Sequence, residues 1–163
     1  MIILGGGPVG TEMAQAFSRL GTTVSVVQRG NQILSREDKD MADEVMNVLH
    51  GEGVRFYLDS STMTVRDLGY EREVVIRRGR DETLSLRAER VLVATGREAN
   101  AKGLGLEEIG LAFEGKGIQV DERLRTSLTH IFAAGDVTGA YQFTHAAGYE
   151  GGVVVANAIL HLP

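Results

Sequence analysis

Three places in the chain combine residue types and spacing that can do chemistry. Residues 5 to 10 read GGGPVG, a G-x-G-x-x-G between a short apolar run and a helix-like segment. In such a turn Gly5 permits the tight reversal, Gly7 lets the backbone approach a pyrophosphate, and Gly10 lets the helix pack against its strand. Pro8 and Val9 are counted with these glycines as binding residues, and the amide groups of the helix that follows face the phosphates. Alone, the spacing is a weak signal; between strand and helix it is a strong one for a dinucleotide, against a glycine-rich turn with no ligand. Further along, an NAD-specific unit presents an acid to the ribose 2′-hydroxyl, and this chain has Gln28-Arg29 there. With no carboxylate to repel a phosphate and a guanidinium to grip one, the pair favours NADP over NAD; the alternative is an ordinary solvated arginine. The third place is IFAAGDVTG (131–139), where Asp136 follows Gly135 at the end of an apolar run read as a buried strand. A carboxylate there can accept hydrogen bonds from a ligand's hydroxyls.

These residues need elements to hold them. The run 2–4 reads as a strand, and TEMAQAFSRL (11–20) spaces Met13, Ala14, Phe17 and Leu20 as a helix that Gly21 ends. TVSVV (23–27) is β-branched and continuous, the pattern of a strand buried on both faces of a parallel sheet. Asp38 to Leu49 repeats the helical spacing through Met41, Val45, Val48 and Leu49, and VRFYL (54–58) predicts a third parallel strand. Between 62 and 88 the texture alternates apolar and polar, which predicts an antiparallel meander with one wet face. RVLVATG (90–96) reads as another buried strand, ending at Gly96 where a backbone can pass close to a ligand. Then come a loop-rich stretch, a strand GIQVD (117–121), the strand ending at Asp136, and a last helix from about His145 to Leu160. The fold class is α/β.

Composition excludes several functions. Seventeen basic and twenty-two acidic side chains in 163 residues leave a net charge of −5 without a long basic run, so no nucleic-acid partner is expected. There is no cysteine, hence no disulfide, thiolate nucleophile or cysteine metal site. No apolar stretch reaches a signal peptide's or a membrane span's length, so the expectation is a cytoplasmic chain with no membrane partner.

Taken together, GGGPVGTEMA (5–14), VLVATGREAN (91–100), GLGLEEIGL (103–111), GIQVDERLRTS (117–127), IFAAGDVTG (131–139) and YQFTHAAGYEGG (141–152) resemble one family, the flavin-dependent pyridine nucleotide-disulfide oxidoreductases. Within it the chain looks most like the mercuric reductase, dihydrolipoamide dehydrogenase and glutathione reductase branch. The resemblance implies a nicotinamide-nucleotide domain over 1–96 and the returning C-terminal part of an FAD-binding domain over 97–163. It makes Asp136 a ligand of the flavin's ribityl chain, with backbone amides near His145 and Ala146 stabilising negative charge on the flavin ring. Glu12 matches a glutamate beside the nicotinamide, and Arg29 an arginine that binds the 2′-phosphate of NADPH. The second such arginine is Ser35 here, with Arg36 adjacent, and the family's proline in ATGR-x-PN is missing from ATGREAN.

The resemblance also implies what lies elsewhere. A full family member begins with an FAD half carrying a redox cysteine pair and ends with a dimerisation domain supplying catalytic His and Glu. No catalytic residue is therefore assigned in this chain, which reads as an internal portion of a longer enzyme and an inactive one by itself. Its expected partners are the nucleotide, those absent domains and a second copy. The competing reading is a non-catalytic nucleotide-binding or interaction module.

Overall fold

A computed structural model describes residues 1–111, 113–115 and 117–160; Ala112 and Lys116 of the loop-rich stretch and residues 161–163 lie outside them. The chain forms two compact units, Met1–Gly96 and Arg97–Pro163.

The first unit runs β1 (Ile2–Leu4), α1 (Pro8–Arg19), β2 (Ser25–Val27), α2 (Lys39–Gly51), β3 (Arg55–Tyr57), β4 (Ser60–Asp67), β5 (Arg72–Arg78), β6 (Glu82–Ala88) and β7 (Val91–Val93). Four strands make a parallel sheet in the order β3-β2-β1-β7, with Ile2 opposite both Ser25 and Val91. The other three form the antiparallel meander β4-β5-β6, bulged at Thr62/Thr64.

Alternation along β1 explains why its whole run is apolar. Ile3 packs with Ala14, Val24, Val26, Leu49 and Val54, whereas Ile2 and Leu4 point the other way onto Val27, Val74 and Ile76 of the strands and meander. Each such valine, leucine or isoleucine, fully removed from water, contributes about 1.5–3 kcal/mol. α1 starts at Pro8, earlier than its apolar spacing predicts, because a proline at the first helical position gives up only an N–H that would lack an intrahelical partner anyway.

One expectation fails here. β7 is an edge strand and Val93 is 69% exposed, so the run 90–96 is not buried throughout. In α2 the buried residues are Ala42 and Leu49, one face of the helix, while Met41, Val45 and Val48 are exposed. The helix that their spacing predicts does form, and it turns the face of Ala42 and Leu49, to one side of those three, toward the core.

The second unit contains the two-stranded hairpin β8 (Phe113–Glu114) and β9 (Gly117–Ile118), a 3₁₀ turn at Gly135–Thr138 and the helix α3 (Thr144–Ala158). Ala101, Leu106, Leu111, Ile118 and Ala133 form its small core. The strand predicted over 117–121 shrinks to its first two residues. The strand predicted to end at Asp136 is absent: Phe132 makes one isolated bridge to Arg125, and Gly135, at φ +77°, turns the chain into the 3₁₀ element. A left-handed glycine cannot continue a strand.

Candidate functional site: a glycine turn and a Gly-Asp turn

In a parallel sheet the carboxyl ends of all strands lie along one edge, and ligands of open α/β folds bind there. The first unit places Gly5, Gly7, Pro8, Val9 and Gly10 after β1, Gln28 and Arg29 after β2, and Gly96 beyond β7 on that edge. The turn has room only for glycine at two points. Gly5, at φ +105°, would drive a Cβ into the carbonyl of Ala94, and a Cβ on Gly10 would overlap the carbonyl oxygen of Gly5. Around Gly7, by contrast, nothing lies within 4 Å of where a Cβ would sit. Gly7 is the N-cap of α1; no side chain caps that helix and no acid stands in its first turn. Its first amides have no intrahelical acceptor, and the helix dipole adds partial positive charge, which suits a phosphate. The close turn, the open Gly7 and the uncapped helix together fit a dinucleotide's pyrophosphate. Glu12 lies one turn further into α1 and is exposed.

The loop after β2 is tied to this turn by side chains. Gln28 accepts a hydrogen bond from the Gly6 amide through Oε1 (2.9 Å) and donates from Nε2 to the carbonyl of Gln32 (3.1 Å). Gln32 Nε2 in turn donates to the carbonyls of Glu37 (3.0 Å) and Leu34 (3.4 Å), and the Leu34 amide returns to the carbonyl of Gly6 (2.7 Å). Arg29 and Arg36 are exposed on this loop and enter no ion pair among the described residues.

The second unit builds its own turn around Gly135 and Asp136. The Gly135 amide donates to Glu150 Oε2 of α3 (2.6 Å), and the Thr138 hydroxyl donates to the Gly135 carbonyl (2.9 Å). Asp136 is half exposed; Arg97 Nη1 donates to its Oδ2 at 3.3 Å and to the Gln142 carbonyl at 3.0 Å. α3 begins one residue before His145, also without a side-chain cap or first-turn acid, so the Ala146 amide lies in its uncapped first turn. The His145 ring stacks on Phe143, with centroids 5.5 Å apart and planes 13° from parallel.

Sequence reasoning missed Gln32, Arg97 and Glu150. Glu150 did leave a signal, as the sole charged acid or base in the fifteen residues of α3. Gln32 left none, because its bonds exist only once the loop is folded back.

An α/β unit with this strand order, a glycine turn after β1 and an uncapped helix beyond it is of the Rossmann type. The model of the pyridine nucleotide-disulphide oxidoreductases matches residues 1–151. The chain belongs to that family. It is 33% identical to a dihydrolipoyl dehydrogenase of Chlamydia trachomatis, over 99% of this chain and 34% of that protein. With a mercuric reductase of Streptomyces lividans it shares 38% identity, over 98% of this chain and 33% of that protein. Among solved structures, LpdA from Mycobacterium tuberculosis superposes with a TM-score of 0.87 at 31% identity, covering 99% of this chain and 34% of that one. The HOCl-induced flavoprotein disulfide reductase RclA of Escherichia coli gives a TM-score of 0.84 at 31% identity, covering 97% of this chain and 35% of that one. The chain thus spans about a third of the length of the relatives it matches.

Proposed function

We propose that residues 1–96 bind the nicotinamide nucleotide of a flavin-dependent oxidoreductase, and that residues 97–163 contribute Asp136 to its FAD. Bound there, the nucleotide would supply hydride to the flavin, for onward passage to a disulfide or another acceptor. The observation that carries this is the glycine cradle: Gly5 and Gly10 leave no room for a Cβ, while Gly7 opens toward free helix amides.

In this assignment the turn binds the pyrophosphate, Arg29 grips a 2′-phosphate with Arg36 in support, and Glu12 stands beside the nicotinamide. Asp136 accepts hydrogen bonds from the flavin's polyol, and Arg97 holds one of its oxygens. With no cysteine, this chain has no thiol of its own to pass electrons to a disulfide. Its share of the reaction is therefore to bind and orient, and turnover requires other segments of the parent.

NADP is favoured over NAD because a guanidinium–phosphate hydrogen bond is worth about 1.5–3 kcal/mol, roughly ten- to a hundredfold in affinity. Calorimetry with NADPH and NADH on the wild-type chain and on Arg29→Ala tests it. Equal affinities in the wild type, or a substitution that weakens both nucleotides alike, would return the assignment to NAD.

Self-association is part of the same proposal. α3 has no buried residue and exposes Tyr149 and Val155, with Ile159 exposed just past its end, and a symmetric pair would cover such a surface. Light scattering should give more than the monomer mass at micromolar concentration; a clean monomer speaks against it.

A further inference from the structure

We infer that Gln28 and Gln32 form a neutral hydrogen-bond relay that sets which nicotinamide nucleotide this chain takes, with Gln28 acting as a positioning residue and not as a ligand. The inference rests on the nucleotide assignment above and adds to it the device that selects between the two cofactors. Gln28 occupies the first position after β2, where an acid would face a ribose 2′-hydroxyl. Its amide does not stand free for that hydroxyl. Oε1 is occupied by the Gly6 amide and Nε2 by the Gln32 carbonyl.

Only an amide satisfies both bonds. Gly6 N–H offers a donor and needs an acceptor, whereas the Gln32 carbonyl is an acceptor and needs a donor. A carboxylate in the same place would keep the first bond, lose the second and set two negative oxygens against a carbonyl. From Gln32 the relay continues to the carbonyl of Glu37. The backbone that carries both Arg29 and Arg36 is thereby fixed to the glycine turn at its start and near its end. The Leu34 amide adds a third tie, at the cost of a left-handed residue with φ +48°. Leu34 has no glycine's freedom at that angle, so the loop holds a shape that the isolated segment would not favour.

Two effects on selectivity follow. Neutrality at Gln28 leaves no negative charge beside a 2′-phosphate. Order in the loop spares the arginines part of the entropy of being fixed when the phosphate arrives. Both act on the 2′ position alone, because the pyrophosphate contacts at the turn are common to the two nucleotides.

The test combines nucleotide titration with hydrogen exchange of the Gly6 amide, read by NMR on the ligand-free chain. Gly6 should be protected in the wild type and in Gln28→Glu, and should exchange at least about tenfold faster in Gln28→Ala. Gln28→Glu should cut the NADPH-to-NADH affinity ratio by about tenfold or more. Gln32→Ala, which changes no charge, should weaken NADPH by about three- to tenfold and leave NADH nearly unchanged. A merely structural role would weaken both nucleotides together and leave the ratio fixed, and that result overturns the inference. So does a Gly6 amide whose exchange is indifferent to Gln28→Ala. A wild-type chain that binds neither nucleotide overturns the nucleotide assignment itself, while the exchange experiment still judges the relay separately.

Discussion

The two turns of the molecule are held by the same device with opposite chemistry. In the first unit a neutral amide reaches across twenty-two positions to the Gly6 amide; in the second a carboxylate reaches across fifteen to the Gly135 amide. What surrounds them differs more. The glycine turn stands on a sheet filled on both faces, by Ile3, Val24 and Val26 on one side and Ile2, Val74 and Ile76 on the other. The Gly-Asp turn stands on a smaller cluster of Ala101, Leu106, Leu111, Ile118 and Ala133, beside a helix whose residues are at most half-buried. A turn on a full core has its geometry enforced from below. A turn on a thin core depends on its own hydrogen bonds.

That contrast can be broken most directly in the cores. Ile3→Ala should destabilise the first unit by about 2–5 kcal/mol, whereas Val155→Ala on the exposed side of α3 should stay within about 0.5 kcal/mol. Denaturant melts followed by hydrogen exchange in each unit would measure both. Similar losses at the two sites would mean that α3 is packed as tightly as the sheet.

Glycine replacement sharpens the comparison at smaller scale. Gly10→Ala forces a methyl against the Gly5 carbonyl and should cost about 1–3 kcal/mol. Gly148→Ala, inside α3 with nothing within 4 Å of the new methyl, should instead stabilise by about 0.4–1 kcal/mol. Thermal melts give the sign of each change, and a stabilising Gly10→Ala would remove the steric argument for the cradle.

Acid gives the smallest effect. In the first unit Glu73 is held below the usual carboxylate range, chiefly by the Ser85 hydroxyl and then by Arg87 and Arg66. In the second, Asp121 is held low chiefly by the Arg125 side chain, with backbone amides of Arg125 and Arg123. A depressed folded value means that the stabilisation is complete above the unfolded value and drains away as pH falls through the folded one. Stability measured from neutral to acid pH should therefore fall less steeply in Glu73→Gln and in Asp121→Asn than in the wild type. An unchanged slope in either variant would show that its carboxylate contributes nothing.

The first turn was legible in the sequence because local rules agree there. An apolar triplet, spaced glycines and a helical spacing of apolar residues each point to strand, turn and helix. The meander was legible for the same reason, since its alternation matches one buried and one wet face. The run before Asp136 misled because apolar residues also gather where a loop packs by its side chains; no ladder partner exists for it among the described residues beyond Arg125. The exposed Met41, Val45 and Val48 show the limit of periodicity, which fixes the pitch of a helix and not its rotation. Gln28 could be read as the absence of an acid, but its bonds to Gly6 and Gln32 depend on a loop returning on itself, which no local pattern encodes.

The strand order also imposes a schedule on synthesis. Within its unit β1 is made first, yet one of its two neighbours, β7, ends at Val93. Closing so long a loop costs entropy before any contact repays it, and contacts this distant in sequence slow folding. A growing chain therefore carries β1 with an unpaired edge until nearly the whole unit has left the ribosome. The meander, whose partners are adjacent in sequence, can assemble during that wait. A released chain that ends between Ala88 and Val91 should show a formed meander beside a parallel sheet that lacks β7, the state in which a chaperone would find it.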